Sequence, residues 1–260
     1  TDSAGREEYA AQMYEFRKRR GWTMGECRSK IKSREYYGNM MLRDGAADAL
    51  ISGLTVKYPT ALRPILRIIG MEEGMRKAAG MYILLSKRGP MFFADTTINL
   101  DPTVEDLVQM VLNVADTVKR TNITPKVALL SYSNFGSSNG PDARKMAQAS
   151  SILRKEHPDL IVDGEMQANF ALEPELLKES FPFSDLVGHQ ANVFIFPNLA
   201  AGNITYKMLQ SFGAAEAIGP MLIGTKSSAH VLQLGASVRE IVNMATLAAV
   251  DARNRKVKKG

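Results

Sequence analysis

Between Ala191 and Gly224 the chain reads ANVFIFPNLAAGNITYKMLQSFGAAEAIGPMLIG: an apolar run, a polar break, a helical stretch and a second apolar run. No other segment constrains the fold as much, because a buried strand, a helix and another buried strand belong in a sheet covered by helices. The break predicts a sharp turn and a helix opening on Gly202-Asn203, where free backbone N–H groups receive a phosphate or another anion. Lys207 follows Asn203 by four residues, one helical turn, so a cation shares a face with the Asn amide. Ser131-Tyr132-Ser133-Asn134-Phe135-Gly136-Ser137-Ser138 repeats this logic after another strand. Polar loops at strand ends are where an open α/β sheet is expected to bind a ligand.

Elsewhere the pattern is helical first and alternating afterwards. Residues 6–20 have helical spacing, Thr23 with Glu26 forms a capping box, and a third helix ends near Gly45. Asp48 to Ser52 reads as a short strand, and Pro59 to Ile69 as a helix whose Pro64 either lies in its first turn or breaks it. Met81 to Ser86 and Met91 to Ala94 read as strands around a Gly89-Pro90 turn. Thr103 caps a helix to about Lys119; strand 126–131, a helix from about 141 to 156 and strand 160–163 follow. Ser237 with Glu240 is a second capping box, opening a last helix to about residue 252. The sum is a largely parallel sheet with helices on both faces.

Composition excludes more than it assigns. At 260 residues the chain can bury one large core or two small ones. No apolar run approaches the roughly 20 residues that span a bilayer, and the start lacks a signal peptide's apolar core. The opening TDSAGREEYA, without Met, reads as that of a fragment. Cys27 is the only cysteine, which rules out an internal disulfide and fits a reducing cytoplasm. With His157, His189 and His230 scattered, there is no metal-finger spacing. The net charge of +6 lies largely in Arg17-Lys18-Arg19-Arg20 and in the tail Arg253 to Lys259. No RNA-binding signature or recognition-helix pattern accompanies it, so a small polyphosphate ligand is preferred to nucleic acid.

Eight blocks in order, YEFRKRRG, ISGLTVKYPTALRP, FADTTINLDPT, VALLSYSNFGSS, PDLIVDGEMQANFAL, ANVFIFPNLAAGNITYK, EAIGPMLIG and GASVREIVN, carry a family likeness. The chain resembles the phosphate acetyl/butyryltransferase family over nearly its whole length, most closely the version fused behind a malic enzyme in bacterial hybrid enzymes. The family's usual opening strand–helix–strand portion is missing ahead of Thr1. The resemblance implies a two-domain, three-layer α/β/α fold similar to isocitrate and isopropylmalate dehydrogenases, with coenzyme A in the interdomain cleft. The first domain would take residues 1–75 and 231–260, and the second 76–230. It implies that Arg17 and Arg63 hold the coenzyme phosphates while Ser131, Ser133, Asn203, Lys207 and Gln233 line the cleft.

The family's catalytic stretch departs here. Where the family has Leu-Ser-Arg-Gly, this chain has Leu232-Gln233-Leu234-Gly235; the acidic position is Glu240, and a further family arginine is Ser211. Losing one preorganised donor aimed at transition-state charge costs about 10²–10³-fold in rate. The expectation is a transferase fold without its transferase: a regulatory domain that binds acetyl-CoA and controls an attached malic enzyme. NADP and a divalent metal would belong to that other portion. The alternative is an active phosphate acetyltransferase. Family members are commonly dimers, so a homodimer or higher oligomer is expected. Asp163 and Glu165 are either an acid–base pair or loop hydrogen-bonding groups, and the serines are either phosphate contacts or turn caps. His230 lacks an evident orienting carboxylate in the sequence.

Overall fold

The computed structural model describes residues 3–213 and 216–257. The chain divides after Glu73 and again before Thr225 into two compact units, the first built from both flanks and the second from Gly74–Gly224. No helix among the described residues is long and apolar enough to cross a membrane. Part of the basic tail, residues 258–260, and the pair 214–215 of the Ala191–Gly224 segment lie outside the described residues.

The first unit opens with α1 (Ser3–Arg17), a 3-10 turn (Lys18–Arg20), α2 (Met24–Lys30) and α3 (Arg34–Asp44). Gly21, at φ 82°, ends the 3-10 turn in the left-handed conformation that glycine takes without a side-chain clash. Two residues later the Thr23–Glu26 capping box starts α2, the Thr23 N–H donating to Glu26 Oε2 at 2.9 Å. β1 (Ala49–Gly53) pairs in parallel with β8 (Ser228–Leu232), from Ala49↔Ser228 to Gly53↔Leu232. That pairing carries residues 225–230 into the first unit, where the sequence boundary had been placed at 230/231. α10 (Val238–Val257) packs on both strands and runs beyond the expected end at residue 252.

α4 (Tyr58–Ile68) settles the ambiguity at Pro64: the helix continues through it, with Pro59 in the first turn. An interior proline removes a hydrogen bond and costs about 3 kcal/mol. Ala61, Pro64, Ile65 and Ile68 bury one continuous face at helical spacing, which offsets it. Where the chain leaves and re-enters this unit, Met71 bridges Thr225 and the Lys226 N–H donates to Gly70 O. Arg255 of α10 clasps the two crossing segments, donating to Glu72 at 2.5 Å and to Thr225 O at 2.6 Å.

The second unit is a six-stranded mixed sheet. Its strands are β2 (Ala79–Ser86), β3 (Gly89–Ala94), β4 (Lys126–Leu130), β5 (Ile161–Met166), β6 (Val193–Ile195) and β7 (Glu216–Ile223), in the order β5-β4-β6-β3-β2-β7. The first four in that order are mutually parallel, while β2 runs antiparallel to β3 and β7. α5 (Val104–Lys119) and α6 (Pro141–Glu156) pack on β3 to β6. A core cluster centred on Tyr82, Phe93, Phe194 and Phe196 draws instead on α7 (Ala168–Leu172), α8 (Pro174–Ser180) and α9 (Leu199–Ser211). Helices therefore cover both faces of this sheet, as α/β patterning requires.

Three expectations need correction. The hairpin turns at Lys87-Arg88, not Gly89-Pro90, because the Ser86 hydroxyl closes it by accepting from the Arg88 N–H at 3.1 Å and donating to Gly89 O at 3.0 Å. β5 runs on through Asp163-Gly164-Glu165, which are within the strand rather than at its end. α9 begins at Leu199, one turn earlier than Gly202-Asn203, because the Asn198 side chain caps it by accepting from the Ala201 N–H at 3.0 Å. The Gly202 N–H is thus already bonded to Asn198 O.

Candidate functional site

Within the first unit, α1, the link to α2, and α4 wall a cavity of about 540 Å³. Arg17, Arg20 and Trp22 form one side. The other is the second face of α4, where Pro59, Leu62, Arg63, Leu66 and Arg67 recur at helical spacing opposite the buried Ala61–Ile68 face. Its four arginines have no carboxylate partner among the described residues. Arg17 ends α1 and is 8 % exposed, whereas Lys18, Arg19 and Arg20 are solvated; the buried Nε of Arg17 has no hydrogen-bond partner. Burial and the nearby charges of Arg20 and Arg67 hold the Arg17 guanidinium below its ordinary pKa. A cavity wall of like-charged guanidinium groups is chemically suited to an anion.

The aromatic side chains explain what holds these cations. Arg17 Cζ and Arg67 Cζ are each 5.6 Å from the Trp22 ring centroid, and Lys30 Nζ is 5.1 Å away. Arg67 also donates to Tyr36 Oη at 3.1 Å. Behind them Arg43 lies 4.1 Å over Phe16 and donates to Ile68 O. The sequence reading named Arg17 and Arg63, and both line this cavity. It missed Arg67, although Arg67 stands one turn beyond Arg63, and it missed Trp22, the chain's single tryptophan.

The other sequence candidates are distributed differently. In the second unit Ser133 is fully buried, donating to Glu165 Oε1 at 2.8 Å and accepting from the Ser138 N–H at 2.9 Å. Ser131 Oγ accepts from the Ser133 N–H at 3.2 Å. Asn203 donates its amide to Thr96 O at 3.0 Å, while Lys207 is exposed with Nζ 5.2 Å from the Tyr206 ring centroid. The loop thus uses its own hydroxyls as turn caps. Glu165 also accepts from the Gly136 N–H at 2.8 Å, and Asp163 accepts from Ser184 Oγ at 2.7 Å and the Asp185 N–H at 3.0 Å. Both carboxylates are buried in these loop contacts, which is the hydrogen-bonding reading of the pair.

At the altered catalytic stretch, Gln233 is half-buried beyond β8 and Leu234 is 59 % exposed. Ser211 is exposed at the end of α9. Glu240 accepts from the Ser237 N–H at 2.7 Å while its own N–H donates to Ser237 Oγ at 3.2 Å, a closed capping box. His230 is fully buried beside Ser228 Oγ at 3.1 Å, and Asp251, 3.8 Å away, is the carboxylate that the sequence did not reveal. Among the described residues no group of three or more His, Cys, Asp or Glu side chains could hold a metal ion.

The family model for phosphate acetyl/butaryl transferase matches residues 1–249. An NADP-dependent malic enzyme of Haemophilus influenzae is 40% identical over 253 residues, covering 97% of this chain and 33% of that protein. A phosphate acetyltransferase of Clostridium acetobutylicum is 35% identical over 254 residues, covering 95% of this chain and 76% of that protein. The crystal structure of a phosphotransacetylase from Streptococcus pyogenes superposes with a TM-score of 0.89 at 34% identity, covering 96% of this chain and 76% of that one. The chain therefore spans about a third of the length of the malic enzymes it matches.

Proposed function

The chain belongs to the phosphate acetyl/butaryl transferase family, and on that footing we propose that it is an acyl-CoA-binding regulatory domain of a hybrid malic enzyme, with acetyl-CoA as effector. One observation carries this reading: four arginines without carboxylate partners among the described residues line a single cavity, while the catalytic stretch has become Leu232-Gln233-Leu234-Gly235. Arg17 and Arg63 hold phosphate groups of the coenzyme, assisted by Arg20 and Arg67. Binding thus uses charge that the apoprotein leaves uncompensated. Chemistry needs more. Attack of a thiolate on an acyl phosphate builds negative charge on oxygen, and replacing an arginine by Leu234 withdraws both cation and donors from it.

In this reading the isocitrate and isopropylmalate dehydrogenase-like plan is retained as a ligand-sensing scaffold in a cytoplasmic homo-oligomer. The NADP- and metal-dependent oxidation of malate belongs to the malic enzyme portion of the same polypeptide. Ligand can control that portion only through a difference in affinity between two of its states.

The test is calorimetric titration with acetyl-CoA alongside a transferase assay with acetyl phosphate and coenzyme A. Binding tighter than about 1 mM (roughly −4 kcal/mol) is expected, with turnover about 10²-fold or more below the usual 1–10³ s⁻¹. Absence of heat at millimolar acetyl-CoA would remove the reading. Ordinary turnover would replace it with the second one, an active phosphate acetyltransferase, which is favoured by the carboxylate kept at Glu240 and by the names of the phosphate acetyltransferase relatives.

A further inference from the structure

Four cations around one cavity repel each other, and among the described residues no carboxylate pairs with them. One aromatic residue of the cavity wall touches two of them, Arg17 and Arg67. Trp22 sits between Gly21, whose left-handed turn ends the 3-10 segment, and Thr23, whose capping box starts α2. Both neighbours are pinned, so the indole projects from a backbone with little freedom. Around its ring centroid stand Arg17 from α1 and Arg67 from α4, each at 5.6 Å, and Lys30 from α2 at 5.1 Å; the Tyr36 ring packs at 6.1 Å.

An indole face attracts a cation by about 0.5–1 kcal/mol when exposed and about 2 kcal/mol when desolvated. Unlike a carboxylate, it does so without cancelling the charge. A guanidinium held by an acid is already neutralised and must give up that partner before it can bind phosphate; one held by an aromatic ring keeps its N–H donors and its field.

We infer that Trp22 is the positioning residue of this anion site: its ring holds Arg17 and Arg67 at the cavity wall and leaves their charge free for the ligand. The inference rests on the pocket being the anion site proposed above. It goes further in assigning to a residue outside the cationic set the task of keeping two of its members, Arg17 and Arg67, in place. The ring also reports occupancy. Because Trp22 is the single tryptophan of the chain, a phosphate group that draws Arg17 or Arg67 toward it alters the indole's surroundings and hence the protein's emission.

The experiment titrates the 260-residue chain and its Trp22→Phe and Trp22→Leu variants with coenzyme A and, separately, with inorganic tripolyphosphate. Heat is read for all three proteins and tryptophan emission for the wild type. Emission should change saturably with each anion. Trp22→Phe should bind within about threefold of wild type, since a phenyl ring retains a weaker π-face, and Trp22→Leu about tenfold or more weakly at a temperature well below its own melting point. Equal affinity in wild type and Trp22→Leu overturns the inference, as does equal weakening by Phe and Leu, which a space-filling role would give. Should Trp22→Leu not fold, wild-type emission decides, and an unchanged spectrum at saturating tripolyphosphate counts against it. A wild type that takes tripolyphosphate but not coenzyme A sinks the acyl-CoA reading, and the tripolyphosphate series still decides the role of Trp22. If neither anion binds, both fall.

Discussion

Burial, and after it the charges of Arg20 and Arg67, push the Arg17 guanidinium below its ordinary pKa; the phenol of Tyr36 works the other way, and Arg43 adds a smaller push. A charge in that setting destabilises the empty protein and, under the proposed function, serves the occupied one, so the two should separate by mutation. Arg17→Met keeps most of the side chain's apolar length and removes the buried charge. It is expected to raise the stability of the apoprotein by about 1 kcal/mol or more and to weaken acetyl-CoA binding at least tenfold, both checked by melting and titration of one preparation. A variant that lost stability and kept affinity would place the ligand elsewhere. His230 makes the opposite kind of statement, about the fold alone. Burial, opposed by Asp251 and reinforced by Arg255, lowers its pKa from 6.5 to about 4. The folded state therefore refuses a proton that the unfolded chain accepts. Above pH 6.5 the residue leaves stability unchanged. As the pH falls from about 6.5 to about 4 the unfolded state gains protons and stability declines, by up to about 3 kcal/mol at 1.36 kcal/mol per pKa unit, and then levels off. Denaturant unfolding at pH 7, 5.5 and 4 should show that slope, and His230→Gln should flatten it. Neither residue's environment was legible in the sequence: Arg17 stands in a run of four basic residues of which it alone is buried, and Asp251 lies 21 positions from His230.

Elements were read well wherever the signal was local. Both capping boxes, Thr23–Glu26 and Ser237–Glu240, close as their spacing demands, and Thr103 caps α5 by accepting from the Asp106 N–H. Errors arose where a distant partner or a competing side chain decided. Asn198, four residues ahead of the expected opening at Gly202, took the start of α9; Ser86 took the hairpin turn; β1 drew β8 into its own unit. The Ser131–Ser138 loop shows the same dependence on long-range contact. Its shape is keyed to Glu165, 32 residues from Ser133, which accepts from the Ser133 hydroxyl and the Gly136 N–H through one oxygen. Glu165→Ala leaves the buried Ser133 hydroxyl with Ser137 Oγ, 3.1 Å away, as its remaining side-chain partner and turns the exposed Gly136 N–H to solvent, and a buried polar group that loses its acceptor costs about 1–3 kcal/mol. A destabilisation of about 1–3 kcal/mol is expected, with amide exchange accelerated at Gly136 and Ser138 more than in β4. If Glu165 were instead a solvated acid held for proton transfer, the variant would melt near wild type.

The whole molecule is topologically unequal: the first unit is assembled from two separated stretches, whereas the second is one uninterrupted segment, Gly74–Gly224. All six strands of the mixed sheet, and the helices on both of its faces, fall inside that segment. The core cluster running from Tyr82 to Ala217 also lies wholly within it. A 151-residue piece with its own sheet and core is large enough to fold independently. The arginine cavity, by contrast, is composed only of first-unit residues, from Arg17 to Arg67. Expressed alone, Gly74–Gly224 should therefore unfold cooperatively with a dispersed NMR spectrum, yet give no heat with acetyl-CoA at concentrations that saturate the complete chain. The complete chain should gain about 2.7 kcal/mol of stability when acetyl-CoA reaches 100 times its Kd, and the fragment none. Wild-type affinity in the fragment would transfer the ligand to Ser131, Asn203 and Lys207 and strip the arginines of their role. Silence from the fragment beside binding by the complete chain would leave Arg17, Arg20, Arg63 and Arg67 as the anchor without which the acylated coenzyme does not bind.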